Sequence, residues 1–473
     1  MSERLVDLDL YELLSGLEKH EFSHEQLMDE TLGRIADVNP TVNAIVSLRD
    51  RDELLAEAKA FDMKPRVGKL DGIPIAIKDL VETKDLRTTH GSPIFANHMP
   101  QEDELIVSRI RGAGAILIGK TNVPEFGLGS NSYNPVFGRT RNPYDLTKTA
   151  GGSSGGAGAA LAARMVPIAD GSDMMGSLRN PAAFCNVYGL RPTYGLVPGD
   201  PKGDVFLHQL STLGPMARSV TDLAILLDVI AGPDPRLPHS ILEKPRFEEA
   251  AKIQPKPKRI GWLGSWANYF PIEPEILSLC ERALGVFSGL GHTVEDIELE
   301  FDPSSLWTSW TRLRSLAIAG SLGDHYDSAD ENHLLKPEAI FEIEAGRQLS
   351  PVEILEASRI RSDWFCYTAQ AFEKWDAIVL PSAQVFPFDA EVNWPNKILN
   401  QDLTTYHKWM EVVVPASLIG LPAINVPVGF STTGLPMGMQ IIGKRSADAE
   451  LLSLGNAYHV ETRWPQIKSS SID

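Results

Sequence analysis

The sequence is poor in cysteine and in positive charge. Its 473 residues include three cysteines, Cys185, Cys280 and Cys366, which stand far apart and form no CxxC motif. This argues against a disulfide framework or a cysteine-based metal site, and it fits a reducing compartment. Lysine and arginine total 44 against 62 acidic residues, which gives a net charge of −18. We therefore expect neither nucleic acid nor an anionic membrane surface among the partners.

A hydrophobic run suited to cross a membrane is also missing. The longest charge-free stretch covers residues 412–443, and its four prolines would break a membrane helix repeatedly. The amino-terminal residues are acidic where a signal peptide would be basic and then apolar. We therefore read the 412–443 stretch as buried strands and turns, and we expect a soluble, cytoplasmic protein without a membrane partner.

What the sequence does contain is an ordinary globular balance, with 43% hydrophobic and 22% charged residues. Strand-like segments near 73–79, 115–118 and 167–170 alternate with helix-like segments near 155–164 and 219–230. This alternation predicts an α/β fold. We expect a large, mixed, mostly parallel, twisted sheet that is flanked by helices on both faces.

Two short strings match well-known motifs but do not have the context that those motifs need. Residues 114–121 match the phosphate-binding string GxxxxGK[ST], yet the intervening residues are apolar and suit a buried strand, so we expect no nucleotide there. Residues 151–155 match the GxSxG nucleophile elbow of α/β hydrolases. The segment before them is a poor core strand, and the late histidines, His407 and His459, lie in no recognisable motif.

Two segments combine glycine with serine. Residues 151–156 read Gly-Gly-Ser-Ser-Gly-Gly, and residues 171–177 end in Gly-Ser. Consecutive backbone N–H groups before Ser177 could converge as an oxyanion hole, but a serine hydroxyl needs a base to become a nucleophile. Lys78 is the candidate, because burial at the end of an apolar strand would lower a pKa that starts at about 10.4. A solvated strand-end lysine is the alternative for Lys78.

Together these segments resemble the amidase signature family. The resemblance covers residues 60–233 closely and residues 377–460 more loosely. It is carried by Lys78 within Asp-Gly-Ile-Pro-Ile-Ala-Ile-Lys-Asp, by the Gly-Gly-Ser-Ser-Gly-Gly run and by the segment from Gly171 to Pro181. Supporting strings cover residues 119–126, 189–197, 214–218, 420–427 and 434–438.

The resemblance implies a Ser-cisSer-Lys triad. It makes Lys78 the base, Ser153 the bridging serine after a cis peptide bond, and Ser177 the nucleophile. The interval 177 − 153 = 24 is the family's usual spacing and favours Ser153 over Ser154 as the bridge. The implied oxyanion donors are the backbone N–H groups of Met174, Met175, Gly176 and Ser177, and the implied supporting residues are Ser154, Asp173 and Arg179.

The sequence departs from the family pattern at three places. Met175 stands where the family has glycine, and Met174 replaces a small residue. We expect Met175 to keep a negative φ and to lean over the substrate pocket, with packing behind the loop as the alternative. Arg191 stands where the family has lysine, and we expect this replacement to have no effect on function.

The resemblance implies amide hydrolysis to an acid plus ammonia or an amine through an acyl-enzyme, with no cofactor and no metal. A small-molecule amide would be the substrate, and a homodimer is a further expectation. Three alternatives stay open: a glutamine-dependent amidotransferase A-type subunit with a partner protein, a non-catalytic relative, and a hydrolase of related carbamates or esters.

The chain organisation follows from the same patterns. We expect one domain over residues 1–473 with an N-terminal helical arm over 1–60. Residues 234–375 are richer in charge and tryptophan and contain the helix start signal Ser-Pro-Val-Glu at 350–353. We interpret them as a mainly helical insertion near the active-site mouth.

Overall fold

The structure is a computed structural model that describes residues 4–66 and 68–472. Helices and strands alternate along much of the described chain. The helices are α1 (Leu10–Glu18), α2 (His24–Val42), α3 (Arg51–Asp62), α4 (Leu105–Gly112), α5 (Gly155–Ala162), α6 (Arg179–Phe184), α7 (Val220–Ile230), α8 (Phe247–Ala251), α9 (Pro274–Gly289), α10 (Pro303–Asp327), α11 (Pro337–Gln348), α12 (Pro351–Ala371), α13 (Val414–Leu418) and α14 (Asp448–Thr462). The strands are β1 (Ile45–Val46), β2 (Pro74–Lys78), β3 (Ile116–Thr121), β4 (Tyr133–Asn134), β5 (Gly138–Arg139), β6 (Arg141–Asn142), β7 (Asp145–Thr149), β8 (Ile168–Asp173), β9 (Tyr188–Arg191), β10 (Thr212–Ala217), β11 (Arg259–Trp262), β12 (Thr293–Asp296), β13 (Ala377–Pro381), β14 (Lys397–Ile398), β15 (Gln401–Asp402), β16 (Ala423–Phe430) and β17 (Pro436–Gly443).

Eight strands form the central sheet in the order β12-β11-β13-β17-β16-β9-β10-β8. Helices pack on it and bury nearly continuous apolar runs; all eight residues of β17 and all five of β13 are buried. Buried runs of this kind are typical of strands that are covered on both faces. The mixed α/β sheet flanked by helices therefore agrees with the sequence-based prediction.

The strand sense is the part of that prediction that is wrong. In the central sheet only β11–β12 and β11–β13 pair in parallel, whereas the other five neighbouring pairs are antiparallel. The β16–β17 connection shows why, because it has only five residues, 431–435. A parallel crossover needs about a dozen residues or more, so a short connection produces a hairpin. The alternation of strand and helix patterns along the sequence did not reveal such short hairpin connections.

A second sheet, in the order β1-β3-β2, carries the first candidate site residue. Strands β2 and β3 are parallel, and β2 ends at Lys78. The backbone N–H of Lys78 donates to Oδ1 of Asp170 on β8 at 2.9 Å. This buried hydrogen bond joins the small sheet to the edge of the central sheet. It fixes the backbone of Lys78 relative to β8.

Helix α5 follows the paired serines and packs closely through its glycines. A Cβ atom on Gly156 would lie 2.3 Å from the backbone N of Asn122 and 2.6 Å from the carbonyl O of Ala44. Only glycine allows this approach of α5 to the small sheet. The glycine-rich run therefore sets Ser153 and Ser154 against the end of β2.

Two peripheral regions complete the fold. The amino-terminal region contains α1, α2 and most of α3, and it also supplies β1, which pairs antiparallel with β3. The 234–375 segment contains α8 to α12, together with β11 and β12, which form one edge of the central sheet. These two strands were not predicted from the sequence. None of the helices described over residues 4–66 and 68–472 combines the length and the apolar character of a membrane span.

Candidate active site

The Lys78 side chain lies among three serine hydroxyls. Its Nζ is 2.8 Å from Ser153 Oγ, 2.8 Å from Ser154 Oγ and 3.0 Å from Ser172 Oγ. Lys78 is fully buried, which excludes the alternative of a solvated strand-end lysine. A neutral amine has two N–H donors and one lone pair, so it can donate to two hydroxyls and accept a proton from the third.

Burial also controls the charge of Lys78. Removal from water lowers its pKa to about 7, although the negative charges of Asp170 and Asp173 oppose this shift. An ordinary lysine has a pKa near 10.4 and is almost entirely protonated at neutral pH. Half of the Lys78 side chains are therefore neutral near pH 7, which is the state that a general base requires.

Ser153 and Ser154 occupy the turn before α5. The peptide bond between Gly152 and Ser153 is cis, as the family resemblance implied. The backbone N–H of Ser154 donates to the carbonyl O of Ser177 at 3.3 Å. This contact ties the turn that carries Ser153 to the loop that carries Ser177.

Ser153 and Ser177 face the same cavity. The cavity has a volume of about 110 Å³, and Ser153 and Ser177 are only 3% and 6% exposed. Most of its remaining wall is apolar; it includes Leu80, Phe126, Leu128, Met175, Ile318 and Met410. The structure thus brings Lys78, Ser153 and Ser177 together, with the two serines at an apolar pocket.

Asp173 organises the loop before Ser177. Its carboxylate accepts hydrogen bonds from the backbone N–H groups of Gly176 (2.8 Å) and Leu178 (3.2 Å). Gly176 has a φ of 78°, the left-handed region that favours glycine. One prediction needs correction here: because the Gly176 N–H donates to Asp173, it does not point toward an oxyanion. For Met174, Met175 and Ser177 the role of backbone donor stays a prediction.

Two buried arginines hold Asp173 in its charged form. Arg179 donates to both carboxylate oxygens at 3.0 Å, and Arg191 approaches Oδ1 at 3.4 Å. Burial alone would raise the pKa of Asp173, but the two guanidinium groups outweigh it and lower this pKa well below its usual range. We expected the replacement of lysine by Arg191 to have no effect, but Arg191 belongs to the network that shapes the loop. The contact between Ser172 and Lys78 was not predicted from the sequence either.

The two methionines before Gly176 both line the cavity. Met175 is 3% exposed and packs in the main apolar core, and its φ lies outside the left-handed region, as predicted. Met174 is half-buried, and its Sδ lies 3.1 Å from Nη1 of Arg314. Two flexible methionine side chains therefore line the cavity together with Ser177.

Arg314 on α10 belongs to a buried polar cluster at the cavity wall. Its Nε donates to Glu342 Oε1 and its Nη2 donates to Tyr406 Oη, both at 2.8 Å. Its partners come from α11 and from the loop before residue 408, so the cluster joins three distant parts of the chain. No local sequence signal could reveal such a long-range arrangement.

The phosphate-binding string and the two late histidines lie apart from Lys78, Ser153 and Ser177, whereas the GxSxG string at 151–155 contains Ser153 itself. Residues 116–121 form β3, and Lys120 is buried with its Nζ donating to Thr83 Oγ1 at 2.9 Å, so the phosphate-binding string is a core strand. His407 is buried beside the Arg314 cluster, and burial lowers its pKa to about 3. His459 lies on α14, where its Nδ1 is 3.1 Å from Tyr188 Oη. Neither histidine is placed to activate Ser177.

The Amidase family model matches residues 26–452. The chain belongs to the amidase family. This membership confirms the resemblance to the amidase signature family and makes the protein an amidase-type enzyme that acts on amide C–N bonds.

Two kinds of relative are similar to this amidase. The A-type subunit of glutamyl-tRNA(Gln) amidotransferase from Thermosynechococcus vestitus is 35% identical over 97% of this chain and 98% of the relative. Among solved structures, a bacterial aryl acylamidase of the amidase signature family has a TM-score of 0.89 at 28% identity over 97% of each chain. The 6-aminohexanoate cyclic dimer hydrolase has a TM-score of 0.88 at 25% identity over 99% of each chain.

The Asp173 network leads to a stability prediction. We expect Asp173→Asn to lower the free energy of unfolding by about 3–5 kcal/mol at pH 7, because it leaves two buried arginines without their carboxylate. The folded-state pKa is lowered, so this stabilisation is present above the unfolded value near 3.9 and is lost only as pH falls through the folded value. The difference between wild type and variant should therefore be constant from pH 5 to pH 8.

Urea unfolding followed by circular dichroism measures this difference. Asp204→Asn is the matched control, because Asp204 is exposed and accepts only local backbone hydrogen bonds, from Leu207 at 2.7 Å and from its neighbours Phe206 and His208. A loss of less than about 1 kcal/mol in Asp173→Asn would show that the buried network does not hold the loop.

Proposed function

We propose that the chain hydrolyses small carboxylic amides through an acyl-enzyme on Ser177. The observation that carries this proposal is the fully buried Lys78 Nζ at 2.8 Å from Ser153 Oγ, with Ser153 and Ser177 at one cavity. Ser153 bridges the base and the nucleophile, so Lys78 acts on Ser177 through it. Ser154 and Ser172 hold the amine in position.

The reaction runs in two halves. In the first, the Ser177 hydroxyl passes its proton to Ser153, which passes its own to Lys78, while Ser177 Oγ bonds to the carbonyl carbon. The proton returns by the same route to the nitrogen, the C–N bond breaks, and ammonia or an amine leaves. In the second half, water attacks the acyl-enzyme with the same proton route. The acid is released and Ser177 regains its hydroxyl.

Backbone donors stabilise the negative charge that develops on the carbonyl oxygen. We assign this role to the N–H groups of Met174, Met175 and Ser177, since the Gly176 N–H is engaged by Asp173. The side chain of Asp173 and its arginine partners fix this loop in advance, so no reorganisation is needed during reaction. The proposed residues can therefore carry out this reaction without a metal or a cofactor.

The size and polarity of the cavity suggest the substrate. An apolar cavity of about 150 Å³ in another protein holds a benzene ring, whereas this one has about 110 Å³. Its wall of leucine, isoleucine, phenylalanine and methionine disfavours a charged group, which would lose its hydration. We infer an uncharged acyl group of a few carbon atoms.

A second candidate is the A-type subunit of a glutamine-dependent amidotransferase. The 35% identity over 97% of the chain to such a protein supports it, and the curated relatives favour it over a free-standing amidase. The aryl acylamidase and cyclic dimer hydrolase structures support the first candidate. Both candidates use the same serine chemistry and differ in substrate and in the need for a partner protein.

The purified chain on its own separates the two candidates. We would measure turnover of pentanamide and acetanilide against L-glutamine, with a carbamate and an ester as further substrates. The first candidate predicts turnover of the uncharged amides without a partner and little glutaminase activity. Glutaminase activity that appears only with a partner protein, without turnover of simple amides, would establish the second candidate instead.

The peripheral features extend the proposal. Arg314 and Ile318 of α10 line the cavity, which supports a role for the 234–375 segment as a cover over the active-site mouth. The three cysteines are unpaired, which supports a cytoplasmic location. We retain the expectations of no nucleic acid or membrane partner and of a homodimer, which size-exclusion chromatography with light scattering would test.

Met175 is predicted to be a specificity gate. We expect Met175→Gly to keep kcat on a small amide within about tenfold, because loss of a real oxyanion donor costs ~10²–10³ and the backbone donor remains. The same variant should improve kcat/KM for bulkier acyl groups, by ~1–3 kcal/mol of transition-state binding if space for one or two methylenes opens.

Thermal unfolding must accompany these kinetics, because Met175 also packs in the core. Met410, a third methionine at the cavity, offers the matched control Met410→Leu, which conserves volume and should leave the acyl preference unchanged. A loss of several kcal/mol in Met175→Gly with an unchanged acyl preference would mean that Met175 serves packing alone.

A further inference from the structure

Arg314 is a buried cation at the wall of the cavity that contains Ser153 and Ser177. It is 3% exposed and is one of the few polar side chains there. Its Nε and Nη2 are held at 2.8 Å by Glu342 and Tyr406. Because two corners of the planar guanidinium are fixed, the direction of the third corner, Nη1, is fixed as well.

Nη1 has a much weaker partner than the other two nitrogens. It contacts Met174 Sδ at 3.1 Å, and a thioether sulfur is a poor hydrogen-bond acceptor. Methionine is flexible, so the Met174 side chain can move aside when another group enters the cavity. The cavity therefore presents one directed N–H donor that an oxygen atom would satisfy better than the sulfur does.

The charges around Arg314 indicate which kind of oxygen fits. Glu342 is fully buried against Arg314, and its carboxylate also accepts from Ser315 Oγ at 2.6 Å. The guanidinium and the carboxylate cancel, and His407 beside them is neutral because burial lowers its pKa to about 3. A second carboxylate would lose its hydration here without meeting a net positive charge. A neutral carbonyl or ether oxygen has a smaller hydration to lose.

We propose that Arg314 is a specificity determinant whose Nη1 donates a hydrogen bond to a neutral oxygen on the acyl part of the substrate. The preferred substrates are amides whose acyl chain bears a second carbonyl or ether oxygen. Purely aliphatic amides and amides with a distal carboxylate are poorer substrates. The assignment rests on the proposed function, because it takes the acyl group to be the part that enters this cavity.

Three primary amides of matched length test this assignment: pentanamide, 4-oxopentanamide and succinamate. In the wild-type enzyme we expect kcat/KM for 4-oxopentanamide to exceed each of the others by about tenfold or more, the effect of a hydrogen bond from a charged donor. Arg314→Lys should bring the ratio of 4-oxopentanamide to pentanamide close to one. An ammonium group paired with Glu342 has no second nitrogen to reach the cavity.

A second variant covers the case in which R314K does not fold. Met174→Leu keeps Arg314 and Glu342 in place and removes only the sulfur that competes for Nη1. Its preference for 4-oxopentanamide over pentanamide should increase, because the aliphatic amide then leaves the N–H without any acceptor. Equal kcat/KM for these two amides in wild type, or an unchanged ratio in folded R314K, overturns the assignment. If R314K is unfolded, an unchanged ratio in M174L overturns it.

Calorimetric titration of Ser177→Ala with the same amides separates this inference from the proposed reaction. If the wild-type enzyme hydrolyses none of the amides but the variant binds 4-oxopentanamide about tenfold more tightly than pentanamide, the reaction is wrong and the role of Arg314 stands. Equal binding of the two amides overturns the role of Arg314, whatever the turnover.

Discussion

Replacement of Ser177 by alanine should reduce amide turnover by about 10⁴–10⁶-fold, the range seen when the nucleophile of a serine hydrolase is removed. The hydroxyl oxygen forms the bond to the acyl group, and no other side chain of the loop can replace it. Ser153 is the nearest alternative, but we assign it to proton transfer between Ser177 and Lys78. Activity with pentanamide and acetanilide at substrate saturation measures the effect.

The fold should survive this substitution, because it removes one oxygen atom and leaves the backbone contacts of the loop in place. The Asp173 hydrogen bonds and the Ser154 N–H contact to the Ser177 carbonyl do not involve the hydroxyl. We expect the thermal midpoint to change by no more than a few degrees. Ser278→Ala on the exposed face of α9 is the matched control and should keep full activity. More than a few per cent of activity in a clean Ser177→Ala preparation would place the nucleophile elsewhere.

Activity should rise with pH through the pKa of Lys78 and disappear in Lys78→Ala at every pH. The reaction requires the neutral amine, and burial lowers the pKa of Lys78 to about 7. The neutral fraction is small at pH 6, one half near pH 7 and nearly complete at pH 9. The profile of kcat/KM, which reports the free enzyme, should therefore rise by about tenfold from pH 6 to its plateau.

The control for Lys78→Ala is Lys59→Ala, since the Lys59 side chain is 67% exposed and pairs with Glu25 at 3.7 Å on the protein surface. It should show the wild-type pH profile. A bell-shaped profile centred near pH 6 that persists in Lys78→Ala would point to a histidine or carboxylate base. The Lys78–Ser153–Ser177 assignment would then be wrong.

The catalytic segments could be predicted from the sequence because their chemistry depends on local strings. The glycine-rich run before α5 and the Gly176-Ser177 turn follow each other in the chain, and the backbone itself supplies the oxyanion donors. Lys78 was a candidate as the last residue of an apolar strand, but the strand alone left a solvated lysine open, and the family resemblance implied its role as base. Even so, the engagement of the Gly176 N–H by Asp173 became visible only in three dimensions.

Features built from distant residues could not be predicted in the same way. Arg314, Glu342 and Tyr406 meet at the cavity although they are separated by 28 to 92 positions along the chain. The strand sense of the central sheet also depends on connections rather than on periodicity, since parallel and antiparallel strands that are buried on both faces share the same apolar pattern. The role of Arg191 in the Asp173 network required knowledge of what faces it across the fold.

The most direct test of the account is to locate the acyl group on the protein. We would react the enzyme with the p-nitrophenyl ester of butyric acid, quench in acid during turnover, digest with trypsin and map the adduct by mass spectrometry. Cleavage after lysine and arginine places Ser153 and Ser154 in the peptide 149–164, and Ser172 and Ser177 in the peptide 165–179. The account predicts butyrylation of Ser177 in the second peptide, and no adduct in Ser177→Ala. Butyrylation of the 149–164 peptide, or of Ser172, in the wild-type enzyme would contradict it.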